Sequence, residues 1–403
     1  MQGEGTRLCL PVIDMTPWLP AEEGSQKDKK TERGAVVEAV RTACEETGFL
    51  AITNIPKALQ QAINRASTAS KRFFMYVQAR KAQADEIKSK HEIEARLMAS
   101  DVKKLPVDGL PKAYGYFPMK SEALGYQADV AKKPDLREAF SMGPVSAAKR
   151  FRPYLAKGSR ESPMYSDFFT DVVRFLFQPT PWPTGLGKEE KRIFREFKES
   201  LTEFYEQSSC LGRCLLRVIA TALKLSEDHF EKAASDGEHC NSARAIFYPK
   251  LTSHTAPGQA RCGAHSDTGA ITLLWSDTEG LELQPKTAGG GVEGIQDDKA
   301  WFPVSQLVGK HDTANVFGDT KTMLVNIGDL LEFMSKGSWK STPHRVSAPR
   351  LEADENKDRL ALVNFIILAP DFKVGPDGKL TQGEHAFSHF MRKGRNAVNK
   401  EKE

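Results

Sequence analysis

Two histidines and one aspartate form the group of side chains best suited to hold a metal ion. His265 and Asp267 are two residues apart, and side chains at that spacing on an extended segment point to the same side. His344 follows Asp267 by 77 residues. Two imidazoles and one carboxylate occupy one face of an octahedral ion and leave the opposite face open, as in non-haem iron(II) sites that bind dioxygen. We therefore predict that these three residues hold iron(II).

An arginine and a tyrosine form a second candidate group, suited to binding a carboxylate. Arg359 begins the apolar run 359–367, so Ala361, Val363 and Phe365 share its face if the run is a strand. A guanidinium binds a carboxylate through two parallel hydrogen bonds, and the hydroxyl of Tyr248 can donate a third. Iron(II) with one carboxylate carries about +1 and a bound 2-oxo-dicarboxylate brings about −2, so Arg359 would offset the remainder. Taken singly, Arg359 could be a surface arginine at the start of a strand, and Tyr248 could be a tyrosine at the edge of the core.

The elements that must position these residues are a long helix followed by short strands. Apolar residues at alternating steps of three and four predict a helix from about Lys188 to Leu225, which would brace a sheet or, alternatively, form a coiled-coil dimer. Short β-branched and aromatic runs predict strands and an antiparallel sandwich or barrel; they cover residues 10–14, 49–53, 245–248, 270–275, 323–327 and 360–367. Residues 66–105 are predicted to be helical and residues 106–158 irregular.

Composition excludes some classes of function. The chain has 403 residues with a net charge of only +4, which does not favour nucleic-acid binding. It has no apolar run long enough for a membrane span and no secretory signal, and its six cysteines are scattered. These features favour a cytoplasmic protein with a small-molecule substrate and neither a nucleic-acid nor a membrane partner. We expect a monomer, with a dimer as the alternative.

At these residues the chain resembles the isopenicillin N synthase-like family of 2-oxoglutarate- and iron(II)-dependent dioxygenases. The matches follow the family order along most of the chain, and they include 10–14, 43–49, 71–74, 137–140, 181–183, 247–250, 265–268, 280–283, 325–329 and 344–346. The resemblance implies a mostly β core with added helices: a distorted double-stranded β-helix, or jelly roll, braced by the long helix. It divides the chain into an N-terminal region (1–185), a bracing helix region (186–236), a catalytic core (237–372) and a C-terminal helix and tail (373–403).

The resemblance also implies cofactors and residue roles. Iron(II) would be held by the His-Asp-His triad, and the co-substrates would be 2-oxoglutarate and dioxygen. Arg359 and Tyr248 would bind the distal carboxylate of 2-oxoglutarate. The substrate pocket is predicted to include Phe365, Ile246, Tyr116 and Phe140. The implied reaction oxidises an unactivated C–H bond of a small specialised metabolite by hydroxylation, desaturation or ring closure, with release of succinate and carbon dioxide.

Three departures from the family pattern bear on these roles. Ala361 stands where the family usually has a serine that helps to hold the carboxylate, and Ile246 stands where plant members often have asparagine. The stretches 284–322 and 347–358 are longer than usual. Ala361 leaves open an isopenicillin N synthase-like oxidase that works without 2-oxoglutarate. Two further alternatives are a silent jelly-roll ligand-binding protein and a zinc hydrolase. Of these, the zinc hydrolase lacks an obvious general base.

Other candidate metal and phosphate sites are weaker. His385 and His389 are four apart and would share a face of a helix, but they lack the intervening glutamate of a metalloprotease. Cys262 and His265 have zinc-like spacing without a second cysteine pair. The run 289–291 of glycines precedes no predicted helix, which argues against phosphate binding.

Overall fold

The computed structural model describes most of the chain. The described residues are 9–19, 29–83, 112–123, 133–149, 151–155, 167–185, 187–284, 301–308, 315–353, 355–374 and 380–386. The glycine run 289–291, His389 and part of each of the two long insertions lie outside these residues.

Helices precede and flank a β-rich second half. The helical elements are a 3-10 turn Thr16–Trp18, α1 Lys29–Glu46, α2 Lys57–Ala82, α3 Arg152–Leu155, α4 Asp167–Leu176, α5 Lys188–Ala222, α6 Val304–Leu307 and α7 Asp329–Met334. The strands are β1 Val12–Asp14, β2 Phe49–Thr53, β3 Gly115–Phe117, β4 Glu138–Met142, β5 Ser242–Tyr248, β6 Cys262–His265, β7 Ile271–Ser276, β8 Leu281–Leu283, β9 Phe302–Pro303, β10 Met323–Ile327, β11 His344–Val346 and β12 Arg359–Ile366.

Two sheets form the core among the described residues. The larger has eight strands in the order β1-β2-β10-β7-β12-β5-β4-β3, and the smaller has four in the order β6-β11-β8-β9. All their pairings are antiparallel except that of β1 with β2. This arrangement confirms the predicted mostly β core, a jelly roll with added helices.

Helix α5 braces the outer face of the large sheet, as predicted. Side chains alternate across β12, so Asn364 faces the helix, where its amide donates to Ser208 Oγ at 2.8 Å and Ser209 Oγ at 3.1 Å. This contact accounts for the polar Ser208 within an otherwise apolar stripe. Gly212 lets the two elements approach closely, because a Cβ there would lie 2.6 Å from Ile366 Cδ1. The stripe is thus buried within the chain, against the coiled-coil alternative.

Residues 106–158 are less irregular than the sequence predicts, since they contribute β3, β4 and α3. Their strands extend the large sheet at the edge next to β5. The prediction missed them because glycine and proline flank each short run. The predicted helix 66–105 begins earlier, with α2 at Lys57; α2 ends at Ala82, and residues 84–111 lie outside the described part. Within the described residues, no helix combines the length and apolar character that a membrane crossing requires.

Aromatic rings join α2 to α5 and to the sheet. Phe73 is fully buried and stacks on Phe197 of α5 with a centroid distance of 4.3 Å and an interplanar angle of 7°. It also meets Tyr116 and Phe140 edge to face, at centroid distances of 6.3 Å and 6.1 Å. Because these rings come from α2, α5, β3 and β4, Phe73 is central to the packing of the helices on the sheet.

We predict that Phe73→Ala lowers the free energy of unfolding by about 3–5 kcal/mol, because the change leaves a cavity among rings that cannot collapse into it. Urea denaturation measures this difference. Met75→Ala, on the same helix at a side chain that is 58% exposed, is the matched control. Equal losses in the two variants would contradict the central role of Phe73.

Candidate metal centre and substrate cavity

The three predicted ligands come together where the two sheets face each other. His265 ends β6 and His344 begins β11, and the two residues are paired directly across these antiparallel strands. Asp267 lies just beyond β6. One ligand atom from each of the three residues lies within 4.8 Å of the other two. The arrangement leaves room for one ion between them. Among the histidine, cysteine and acidic side chains of the described residues, these three form the group that could hold a metal.

Both imidazoles direct Nε2 toward the space between the three candidate ligands. Nδ1 of His265 donates to the carbonyl of Gly263 at 2.8 Å, and Nδ1 of His344 donates to that of Thr342 at 3.1 Å, since a carbonyl can only accept. In the neutral tautomer this donation leaves the lone pair on Nε2, which lies 3.8 Å from a carboxylate oxygen of Asp267 in both residues. Burial, with the neighbouring imidazole second, lowers the pKa of His265 well below its usual value, so this ring is neutral and able to ligate at neutral pH.

Two polar side chains of the large sheet hold the carboxylate of Asp267. Oδ2 accepts a hydrogen bond of 2.6 Å from Thr272 Oγ1 and one of 2.8 Å from Asn326 Nδ2. Burial alone would raise the pKa of Asp267, but the two imidazoles and these hydrogen bonds outweigh it and lower the pKa. The carboxylate is therefore ionised and oriented. Sequence reasoning assigns Thr272 and Asn326 no such role; their only signal is a polar residue within an apolar strand.

The backbone around Asp267 is also fixed. Its carbonyl accepts from Asp329 N at 2.7 Å, at the start of α7. The preceding Gly328 leaves no room for a side chain, because a Cβ would lie 2.0 Å from the carbonyl oxygen of Gly269. The loop that carries the aspartate is thus held against the end of β10.

Arg359 is buried with most of its hydrogen-bonding capacity unused. Its side chain is 1% exposed, and Nε donates to the carbonyls of Glu279 at 3.0 Å and Thr278 at 3.2 Å. Nη1 and Nη2 have no hydrogen-bond partner among the described residues. Buried donors left in this state are costly, so this guanidinium fits an anionic ligand with two acceptor oxygens.

Tyr248 lies beside Arg359 on the adjacent strand. The two residues are paired between β5 and β12, with the guanidinium 5.0 Å from the centre of the phenol ring. Burial raises the pKa of Tyr248 to about 12, despite the opposing effect of Arg359. The hydroxyl therefore remains protonated and able to donate. The triad, Arg359 and Tyr248 all line one cavity of about 370 Å³.

Some of the predicted pocket residues line this cavity and others do not. Ile246, Phe365 and Ala361 do, because each lies on the inner face of its strand. Tyr116 and Phe140 lie on the opposite face, in the aromatic core around Phe73, and so their predicted place in the pocket is corrected. Because side chains alternate between the two faces of a strand, the neighbouring residues of β3 and β4 line the cavity instead.

The weaker metal candidates do not join the centre. Cys262 is buried in the cavity wall, but its thiol is not part of the ligand cluster. Burial raises its pKa to about 12, which disfavours the thiolate that a metal would need. His385 lies within the described residues and is not part of the ligand cluster, whereas its proposed partner His389 lies outside the described residues.

Comparison with protein families gives two matches in the order expected for such a protein. Residues 10–159 match the family described as non-haem dioxygenase in morphine synthesis N-terminal. Residues 240–367 match the 2OG-Fe(II) oxygenase superfamily, and this segment contains all three triad residues together with Arg359 and Tyr248. Together the two segments cover well over half of the chain.

Curated relatives are similar over nearly their whole length. Clavatol oxidase from Penicillium crustosum is 26% identical over 91% of this chain and 88% of its own. A 2-oxoglutarate-dependent dioxygenase from Didymella fabae is 26% identical over 93% of this chain and 89% of its own. The similarity to these two relatives therefore extends over most of both chains.

A solved structure supports the same fold. A full-length Neurospora crassa protein, crystallised in complex with alpha-KG, is 20% identical, with a TM-score of 0.61 over 97% of this chain and 98% of its own. The ordered family matches, the jelly roll and a site suited to iron(II) and 2-oxoglutarate agree with one another. The chain therefore belongs to the isopenicillin N synthase-like family of 2-oxoglutarate- and iron(II)-dependent oxygenases, and it is a dioxygenase of that family.

Proposed function

We propose that this enzyme oxidises a C–H bond of a small-molecule metabolite at the cavity between the two sheets. His265, Asp267 and His344 hold the iron, and Arg359 with Tyr248 holds the distal carboxylate of 2-oxoglutarate. The observation that carries this proposal is a buried guanidinium with two unpartnered nitrogens in the same cavity as a preorganised His-Asp-His cluster.

When bound, iron(II) supplies oxidation by dioxygen, in which 2-oxoglutarate is converted to succinate and carbon dioxide. The protein's own residues supply position and charge. Thr272 and Asn326 keep the Asp267 carboxylate turned toward the imidazoles. Arg359 offsets the negative charge that a dicarboxylate brings into a buried site.

Apolar side chains line part of the cavity. Leu274, Val363 and Ile246 line it, and Val363 and Ile246 are nearly inaccessible to water. An apolar wall excludes water from the reacting C–H bond and limits side reactions. Hydroxylation, desaturation and ring closure all use such a site, and the position of the substrate over the metal decides among them.

The size of the cavity supports a small substrate. At about 370 Å³ it lies near the lower end of the range for small-molecule sites, and 2-oxoglutarate takes part of the space. The names of relatives agree with this class, since one is a clavatol oxidase and another a validamycin A dioxygenase. We infer a specialised metabolite rather than a macromolecule.

The direct test is succinate formation from 2-oxoglutarate by the purified enzyme with iron(II) and dioxygen, with and without a metabolite library. We expect slow succinate formation without substrate and a rise with the correct metabolite. Absence of 2-oxoglutarate turnover under every condition, in protein that binds iron(II), would favour the oxidase that works without 2-oxoglutarate.

We predict that His344→Ala weakens iron(II) binding more than roughly 100-fold, because loss of a ligand exceeds the 10–100-fold effect typical of residues behind the ligands. Succinate formation should be lost with the metal. Iron(II) titration and succinate assay measure the two effects. His254→Ala is the control, since its imidazole is 80% exposed and is not in the cluster. Full turnover in His344→Ala would remove the proposed ligand set.

We predict that Asn326→Leu weakens iron(II) binding by about 10–100-fold, because Asp267 loses a donor that orients it. Asn364→Leu is the matched control: Asn364 is also a buried asparagine of the large sheet, but it bonds to α5 on the opposite face. Iron(II) titration should separate the two, with Asn364→Leu altering thermal stability alone. Similar iron affinities in both variants would contradict the role of Asn326.

We predict that Ala361→Ser lowers the KM for 2-oxoglutarate up to about fivefold, by restoring one hydrogen bond worth about 1 kcal/mol. Arg359→Lys should raise the same KM by about tenfold or more, because an ammonium lacks the planar fork that matches a carboxylate. Succinate assays at varied 2-oxoglutarate concentration measure both, with iron(II) affinity as the control. If neither change alters KM, the carboxylate binds elsewhere.

A further inference from the structure

One wall of the cavity carries a cluster of charges that the iron and 2-oxoglutarate sites do not use. It comprises Lys112, Glu122, Asp135, Arg137 and Arg244, here termed the charged wall. All but Asp135 line the cavity, and Asp135 pairs with Arg137 from behind. Charged groups in a cavity wall are costly unless they are paired or meet a ligand, so the partners of each charge decide what the wall can bind.

The two carboxylates are engaged by the arginines. Glu122 forms an ion pair with Arg244 Nη2 and lies 3.3 Å from Arg137 Nη2. Asp135 lies 3.2 Å from the same Nη2 and accepts from Arg137 Nε at 3.2 Å. Burial alone would raise the pKa of Glu122, but Arg244 and Arg137 outweigh it and lower the pKa. Glu122 is therefore ionised, and its charge is already shared between two cations.

The cations outnumber these carboxylates. Within the charged wall there are three cations and two carboxylates, and Arg244 Nε is buried without a hydrogen-bond partner among the described residues. Lys112 donates to the backbone carbonyl of Tyr116 rather than to a carboxylate of the wall. Burial, and secondarily Arg244, lowers the pKa of Lys112 to about 8 although Glu122 opposes the shift. The wall thus presents excess positive charge and a free donor.

The Arg244 end of the charged wall is separate from the carboxylate site at Arg359. Arg244 and Tyr248 point to the same face of β5 but are four residues apart, about 13 Å at the usual rise per residue. Arg244 pairs with Val363, which in turn pairs with Leu274 of β7. Two strand spacings, about 10 Å, therefore separate the backbone of Arg244 from that of β7, the strand whose Thr272 supports Asp267. A ligand bound at the wall can reach toward the metal cluster without displacing 2-oxoglutarate.

An aromatic ring completes the wall. Phe117 lines the cavity with the ammonium of Lys112 4.7 Å and the guanidinium of Arg244 4.9 Å from its ring centre. The ring holds both cations by cation–π attraction and offers an apolar surface beside them. This combination suits a molecule with an anionic end and an apolar body.

We propose that the substrate of this enzyme is a small organic acid, whose carboxylate binds Arg244 and Lys112 beside Arg137 while its apolar body extends toward the metal cluster. This inference rests on the proposed function of the cavity and names the class of its substrate.

The test measures binding of simple acids to the iron(II)- and 2-oxoglutarate-loaded enzyme under anoxia, which prevents turnover and keeps Arg359 occupied. The probes are benzoate and cyclohexanecarboxylate, each with its carboxamide. Their dissociation constants follow from the dependence of the melting temperature on probe concentration. We expect each acid to bind at least tenfold more tightly than its amide.

Arg244→Gln should abolish this preference, and Lys112→Gln should reduce it. Arg244→Lys, which keeps the charge, should restore part of it. Arg213→Gln is the matched control, because Arg213 pairs at the surface with Asp236, whose side chain is 82% exposed. The melting temperature of each variant without probe reports whether it folds, and Lys112→Gln keeps the test decisive if Arg244→Gln does not.

Two results would overturn the inference: equal binding of acids and amides to the wild-type enzyme, or an unchanged preference in folded Arg244→Gln and Lys112→Gln. Succinate formation by the wild-type enzyme without any acid tests the proposed function separately. If succinate forms while acids show no preference, the cavity oxidises a neutral substrate.

Discussion

The position of the Asp267 carboxylate is the constraint on which the rest of the site depends. The two histidines belong to the small sheet, whereas the donors that hold the carboxylate, Thr272 and Asn326, belong to the large one. A charged carboxylate buried between sheets is stable only if its hydrogen bonds are made, so the sheets must keep a fixed separation and register. The metal cluster is therefore a property of the whole sandwich, and a displacement of either sheet would separate its ligands.

The helices stabilise that register from the outer face of the large sheet. Each strand of its centre presents alternate residues to the helices and to the cavity. In β12, Asn364 bonds to α5 while Val363 and Phe365 line the cavity. Both faces are thus buried, which explains why these strands read as continuous apolar runs rather than as alternating ones. The aromatic cluster around Phe73 supports the cavity without contributing to it.

Much of this organisation could be predicted from the sequence, and the exceptions have a common cause. The long helix and most strands follow from periodicity. The convergence of the triad follows from its residue types together with the family resemblance along the chain. The faces of β3 and β4 do not follow, since the residues flanking these short strands conceal their register. Because residues 106–158 are predicted to be irregular, the sequence assigns no alternation of side chains there. It therefore wrongly predicts Tyr116 and Phe140 in the cavity, while Phe117 and its neighbours occupy it.

The same alternation explains how one cavity can bind two different anions at separate positions. On β5, Tyr248, Ile246 and Arg244 face inward in turn, so an apolar residue separates the carboxylate site at Arg359 from the charged wall. Arg359 has no carboxylate partner among the described residues and is therefore suited to a co-substrate required in every turnover. Arg244 already shares Glu122, so an anion there must compete with a fixed internal carboxylate. Such competition penalises ligands that cannot also fill the apolar space beside Phe117, and it gives the wall selectivity among acids rather than affinity for any anion.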